Sequence, residues 1–124
     1  MKIDVVTLFP GMFAGPLHES ILARAQTRGV VEIRIVNLRE YAGGRHRVTD
    51  DYPFGGGRGM VLKPEPLWAA VEGLRTDGTR VILLDPQGHR FCQEVARELS
   101  TASHLILLCG RYEGVDERVR EHLV

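Results

Sequence analysis

At 124 residues the chain fits one domain, long enough to bury a core, and its 44% hydrophobic and 26% charged residues are ordinary for a globular fold. No apolar run reaches the length of a membrane span and the N-terminus does not read as a signal peptide, so a cytoplasmic location is expected. Sixteen basic and sixteen acidic residues cancel, which argues against a stand-alone nucleic-acid binder and leaves any RNA contact to a local patch or to sequence outside this chain.

The elements follow in chain order. Lys2–Phe9 is an apolar, β-branched run ended by Pro10-Gly11, hence a strand. From Met12 to Arg28 the residues Leu17, Ile21, Leu22 and Ala25 share one helical face, and Gly29 is a natural stop. Val31, Ile33 and Ile35 alternate with Glu32 and Arg34, as in a half-buried strand. Leu38 to Met60 has no regular periodicity and holds six glycines, and a loop of that length inside a compact domain is functional or disordered. Pro64 and Pro66 open a helix with Leu67, Trp68, Val71 and Leu74 on one face.

Arg80–Leu84 reads as a short buried strand, and Phe91, Val95 and Leu99 mark the next helix. Leu105–Cys109 is the most apolar strand, and Val115, Val119 and Leu123 begin a last helix. Alternating strands and helices predict one α/β domain, a parallel sheet covered by helices on both faces. Cys92 and Cys109 have apolar neighbours and no ligand spacing, and they read as buried free thiols. The five histidines form no metal site, and none is assigned to catalysis.

In an open parallel sheet, ligands bind beyond the carboxyl ends of the strands. Two unusual loops leave strands at that edge: Asp85-Pro86-Gln87-Gly88 and Gly110-Arg111-Tyr112-Glu113-Gly114. Glycine allows close backbone approach, and proline holds the residue before it extended, which suits main-chain recognition of a flat group such as adenine with its ribose. Each loop alone reads as a tight turn; together, on neighbouring strand ends, they favour a ligand site. Gly55-Gly56-Gly57-Arg58-Gly59 fits neither a phosphate loop nor a dinucleotide fingerprint, and alone reads as a flexible hairpin. The stretch before it, Arg45 to Phe54, combines two arginines, a histidine, two carboxylates and two aromatics. Arginines hold phosphates and aromatics stack on unpaired bases, while the plainer reading is a salt-bridged surface loop. Around the second loop, Asp116, Glu117 and Arg118 read as exposed pairs of little energy, with Arg111 and Glu113 the exceptions at the crevice.

Five segments, in order, carry a resemblance: Leu8-Phe9-Pro10; Arg45-His46-Arg47 with Asp50-Asp51; Gly55 through Met60; Pro86-Gln87-Gly88; and Cys109 through Arg118. They are similar to the bacterial tRNA (guanine-N1)-methyltransferases, the TrmD family of the knotted SPOUT class. Arg58 stands where the family often has proline. The resemblance implies methyl transfer from S-adenosylmethionine to N1 of guanosine 37 beside the anticodon, a trefoil knot, and a homodimer with sites built from both subunits. It implies that Leu83, Leu84, Asp85, Pro86 and Gly88 contact the cofactor from one side and Gly110 and Tyr112 from the other. Arg111 and Glu113 would face the methyl donor and guanine, with Arg45, His46, Arg47, Gly55, Gly56 and Gly57 toward tRNA.

Family members run to roughly twice this length. The glycine-rich segment completing the knot, the tRNA-gripping C-terminal domain and the aspartate taken as general base are therefore expected outside these residues, and the 124 residues alone are expected to be inactive. Asp50 is the one local carboxylate considered as an auxiliary base. The sequence assigns no magnesium site. Two rivals stand beside this reading: a non-catalytic RNA-binding module around Arg45–Phe54, and a SPOUT methyltransferase acting on ribosomal RNA.

Overall fold

The computed structural model describes all of Met1–Val124. Four strands form a parallel sheet in the order β2-β1-β6-β5: β1 is Lys2–Thr7, β2 Glu32–Asn37, β5 Thr79–Leu84 and β6 His104–Cys109. A two-stranded antiparallel hairpin of β3 (Asp50–Asp51) and β4 (Val61–Leu62) carries the glycine run in its connection. The irregular segment thus resolves into a 3₁₀ turn at Leu38–Tyr41 and this hairpin.

Side chains alternate across a strand, so every second residue faces the same side of the sheet. Val6, Val36, Ile106 and Leu108 project to one face, where α3 (Pro64–Leu74) and α5 (Glu117–His122) bring Leu67, Ala70, Val71, Leu74, Val119 and Leu123 onto them. Both helices start as their residues dictate. Pro64 occupies the first turn of α3, where its missing N–H costs nothing, and the Asp116 side chain accepts the Arg118 N–H to cap α5.

The other face is covered less completely than the pattern predicted. Helix α4 (Gln93–Leu99) lies over it without burying any residue fully, and Ile82, Leu84, Leu105 and Leu107 line an almost wholly apolar cavity of about 390 Å³ beside Phe91 and Leu99. Cys92, expected to be buried, is exposed just ahead of α4; Cys109 is half-buried, and burial pushes its thiol pKa up, so it stays protonated at neutral pH.

The single helix expected over Met12–Arg28 is broken. A 3₁₀ turn (Pro10–Phe13) runs into the four-residue α1 (Ala14–Leu17), and α2 begins afresh at Ser20 and ends at Thr27. Ser20 takes a left-handed φ of 52°, which no continuous right-handed helix accommodates. The Leu17–Ala25 stripe is consequently never packed as a unit, and Ile21 remains 70% exposed.

At the amino ends of the strands lies a buried polar cluster the sequence reading missed. Asp4 is wholly buried in β1 and accepts from Arg34 Nε at 2.6 Å and from His104 Nε2 at 2.8 Å, with Lys2 Nζ 3.8 Å away. On its other side the His104 ring lies with Nδ1 2.7 Å from Thr79 Oγ1, which in turn accepts the Thr76 N–H. Burial alone would raise the Asp4 pKa, but the hydrogen bonds from Arg34 and His104 and the charges of Arg34 and Lys2 together bring it below the ordinary 3.8.

Candidate functional site

β5 and β6 are adjacent and parallel, with Leu84 opposite Cys109, so the loops that leave them emerge side by side at the carboxyl edge. Between them lies a cleft of about 380 Å³, lined by Leu84 to Gln87 from the first loop and Gly110 to Val115 from the second. Val61 from the hairpin and Glu117 and Arg120 from α5 complete the wall. A cavity of this size is in the range that holds a small organic ligand, roughly 300–1,000 Å³.

Each loop is shaped by its own residues. In the first, Asp85 Oδ1 accepts the Gln87 N–H at 2.8 Å and the Asp85 carbonyl accepts the Gly88 N–H at 3.0 Å, a tight turn that Pro86 stiffens. In the second, a Cβ at Gly110 would sit 3.3 Å from a Val115 methyl, tighter than an ordinary contact, and 3.8 Å from the Leu84 carbonyl, so a larger residue there would press on Val115 where the two loops meet. Tyr112 holds a left-handed φ of 61°, strain of roughly 1–2 kcal/mol for a residue with a Cβ, of the kind that gathers at functional sites.

The glycine-rich hairpin is bound to the second loop along its backbone. Glu113 N–H donates to Met60 O, Leu62 N–H to Gly114 O, and Asp116 N–H to Leu62 O, all at 3.0–3.1 Å. Gly59 has φ 88°, and any Cβ there would collide with the Glu113 side chain. The run is therefore fastened against the loop that lines the cleft, and Gly59 is required both by its backbone angle and by its neighbour.

Charge of both signs lines the cleft: Asp85, Glu113 and Glu117 against Arg111 and Arg120. Arg120 donates to Asp85 Oδ2 at 3.1 Å, to Gln87 Oε1 at 2.7 Å and to Glu117 Oε2 at 3.0 Å. The Arg111 guanidinium lies over the Phe9 ring, 4.7 Å from its centroid, which ties the end of β1 to the same rim. Asp116 was expected in an exposed pair. Its side chain is largely buried, caps α5 and binds Arg118 through both oxygens, and the Arg118 hydrogen bond holds its carboxyl below the usual range against the opposing effect of burial.

Of the residues singled out from sequence, Leu84, Asp85, Pro86, Gly110, Arg111, Tyr112 and Glu113 come together around the cleft. Leu83 does not line it: on the opposite parity of β5, it packs against the hydrophobic core. Gly88 also lies off the wall, closing the turn with its N–H. Asp50 sits in the hairpin, outside the lining, while Arg45, His46, Arg47, Gly55, Gly56 and Gly57 are exposed on the loops beyond it. Gln87 lay in a loop named for the site but was given no role of its own, while Glu117, Arg120 and Val61 were not assigned to the cleft. For Arg120 the only local signal was Glu117 three residues earlier; its partners Asp85 and Gln87 lie 35 and 33 residues away.

These features define an α/β domain with a cleft at the carboxyl edge of a parallel sheet, formed by two glycine-containing loops and a clamped hairpin. The profile of the family described as tRNA (Guanine-1)-methyltransferase TrmD matches residues 1–124. The chain is 59% identical over 125 residues to a tRNA (guanine-N(1)-)-methyltransferase of Staphylococcus haemolyticus, and 55% identical over 125 residues to one of Geobacillus kaustophilus. The first alignment takes in 100% of this chain, the second 99%, and each takes in 51% of the relative. The crystal structure of a tRNA (m1G37) methyltransferase from Aquifex aeolicus superposes with a TM-score of 0.83 at 37% identity, over 98% of this chain and 56% of that one. The chain belongs to the TrmD family of tRNA (guanine-1)-methyltransferases, and it spans about half the length of the curated relatives it matches.

Proposed function

We propose that the protein to which this chain belongs transfers a methyl group from S-adenosylmethionine to N1 of guanosine 37 in tRNA, as a cytoplasmic homodimer with a trefoil-knotted cofactor domain. The observation that carries the reading is the cleft between the β5 and β6 loops, at the edge where parallel sheets take ligands, within a chain of this family. Its residues suit the cofactor. The volume matches a small ligand, the backbone turns at Asp85–Gly88 and Gly110 admit close approach, and carboxylates beside guanidinium groups complement a ligand carrying a sulfonium, an ammonium and a carboxylate.

In this reading Leu84, Asp85 and Pro86 hold the adenosine side, while Gly110 and Tyr112 form the facing wall. Leu83 and Gly88 act behind them, through the core and through the turn. S-adenosylmethionine supplies the electrophilic methyl. Because N1 of guanine carries a proton, a base must accept it as the methyl arrives. Glu113 and Arg111 stand at the rim to orient guanine, and Asp50 is an auxiliary base only if the hairpin moves. The main base is assigned to the part of the protein beyond these residues, and a displacement from sulfonium then depends mostly on positioning. The exposed Arg45, His46 and Arg47, with Gly55, Gly56 and Gly57, form the surface offered to the tRNA backbone, and magnesium has no assigned place.

Calorimetry with S-adenosylmethionine tests the cofactor, on this chain and on one extended to the length of the relatives. Binding by the extended chain is expected, and binding by neither overturns the assignment. Methylation of a tRNA transcript with guanosine at position 37, and not of one with adenosine there, is the expected substrate result. Salt-dependent tRNA binding without cofactor binding would instead favour an RNA-binding module.

A further inference from the structure

We infer that Arg120 is a positioning residue for the methyl donor, holding the loop after β5 in its binding shape and fixing which hydrogen-bonding group Gln87 offers to the ligand; this rests on the reading of the cleft as the S-adenosylmethionine site. Arg120 stands on α5, behind the second loop, yet it reaches the first. Its guanidinium joins Asp85 Oδ2, Gln87 Oε1 and Glu117 Oε2, all within 3.1 Å. Asp85 is the pivot: one carboxylate oxygen holds the Gln87 N–H and shapes the turn, and the other is held by Arg120. The Asp85 side chain is only 10% exposed and that of Arg120 30%, so water competes weakly for the pair.

The consequence for recognition lies in Gln87. A side-chain amide offers an acceptor and two donors, and in solution it turns either toward a ligand. Here the carbonyl oxygen is occupied by Arg120, and the Nε2 has no partner within the chain although Gln87 lines the cleft. The clasp therefore makes Gln87 a donor toward the ligand, selecting an acceptor such as a carboxylate, a ribose oxygen or a ring nitrogen. Without Arg120 the loop loses its tether to α5 and the amide is free to present either end.

The test uses the chain extended to the length of its relatives. Arg120→Ala is expected to raise the KM and Kd for S-adenosylmethionine about tenfold, the size of one lost charge-assisted hydrogen bond, with kcat little changed. Arg120→Lys should recover part of the loss by restoring the ion pair to Asp85. Gln87→Glu keeps a partner for Arg120 but removes the donor, so it should weaken binding while the loop stays ordered. Amide hydrogen exchange at Gln87 and Gly88 reads the loop without any ligand, and should quicken in Arg120→Ala but not in Gln87→Glu. Unchanged exchange and unchanged Kd in Arg120→Ala overturn the inference, and so does a fall in kcat alone. If the parent chain binds no S-adenosylmethionine, the reading of the cleft fails separately, and the exchange data still decide whether the clasp orders the loop.

Discussion

At the amino ends of the strands, Asp4 is sealed from water and its two oxygens are shared by Arg34, His104 and Lys2; at the carboxyl ends, Asp85, Glu113, Glu117, Arg111 and Arg120 stand around an open cleft, joined at one side and free at the other. The same residue types serve different purposes on one sheet. A carboxylate in the middle of a strand must have every lone pair answered, because burial without partners is costly. At the cleft the Asp85 carboxylate is held by Arg120 and the Gln87 N–H, while Glu113 on the second loop is exposed and keeps capacity for a ligand. The first cluster therefore governs stability, and the second binding.

The largest effect that could break this comparison is at Asp4. Asp4→Ala should cost about 3 kcal/mol, toward the low end for a broken buried pair because Arg34 and Lys2 remain partly in water, and it should leave ligand affinity of the folded protein unchanged. Urea unfolding beside calorimetry checks both halves. The pH dependence has a definite sign. The folded pKa of Asp4 lies below the unfolded value near 3.8, so its stabilisation is complete above that pH and is lost as pH falls through the lowered folded value. Unfolding midpoints measured between neutral pH and strong acid should decline there in the parent chain, and less steeply in Asp4→Ala.

Gly59→Ala tests the other region. A left-handed φ of 88° and the Glu113 side chain both oppose a Cβ, so a loss of about 1–2 kcal/mol is expected together with weaker cofactor binding. Gly55→Ala is the control, since its φ of 81° imposes similar strain while its Cβ meets nothing. Equal binding by the two variants would show that the hairpin does not shape the cleft. The smallest effect is at Thr49, whose buried hydroxyl has no partner, in contrast to the fully answered cluster around Asp4. Thr49→Val should be neutral or stabilising by less than about 1 kcal/mol in thermal unfolding. A clear loss would mean that the hydroxyl is engaged.

The parallel sheet was legible because Lys2–Thr7, Arg80–Leu84 and Leu105–Cys109 are apolar runs of strand length, and the cleft because the loops after two of them hold glycine and proline at a sheet edge. Side-chain parity was legible too: of Leu83 and Leu84, adjacent in β5, only one can turn its side chain toward the cleft, and it is Leu84. What escaped the reading depends on contacts between distant residues. Nothing near Arg120 announces Asp85, and nothing near His104 announces Asp4, although a lone carboxylate inside Ile3–Val6 was a signal that a partner must exist. The break at Ser20 escaped for another reason. A serine at φ 52° follows from how the chain turns after Leu17, while its local helical spacing continues undisturbed.

The sheet's central pair has a consequence for how the chain is made. β1 is bonded to β6, and Asp4 meets His104 across a separation of 100 residues. On the ribosome, at roughly 5–20 residues per second, one edge of β1 waits on the order of 5–20 seconds for its neighbour. During that interval Asp4 has Arg34 but lacks the imidazole, and the glycine hairpin has no second loop to clamp it. The newborn chain therefore carries an unpaired strand edge and an unfinished cleft until β6 emerges, the stage at which it is most open to mispairing and to capture by a chaperone.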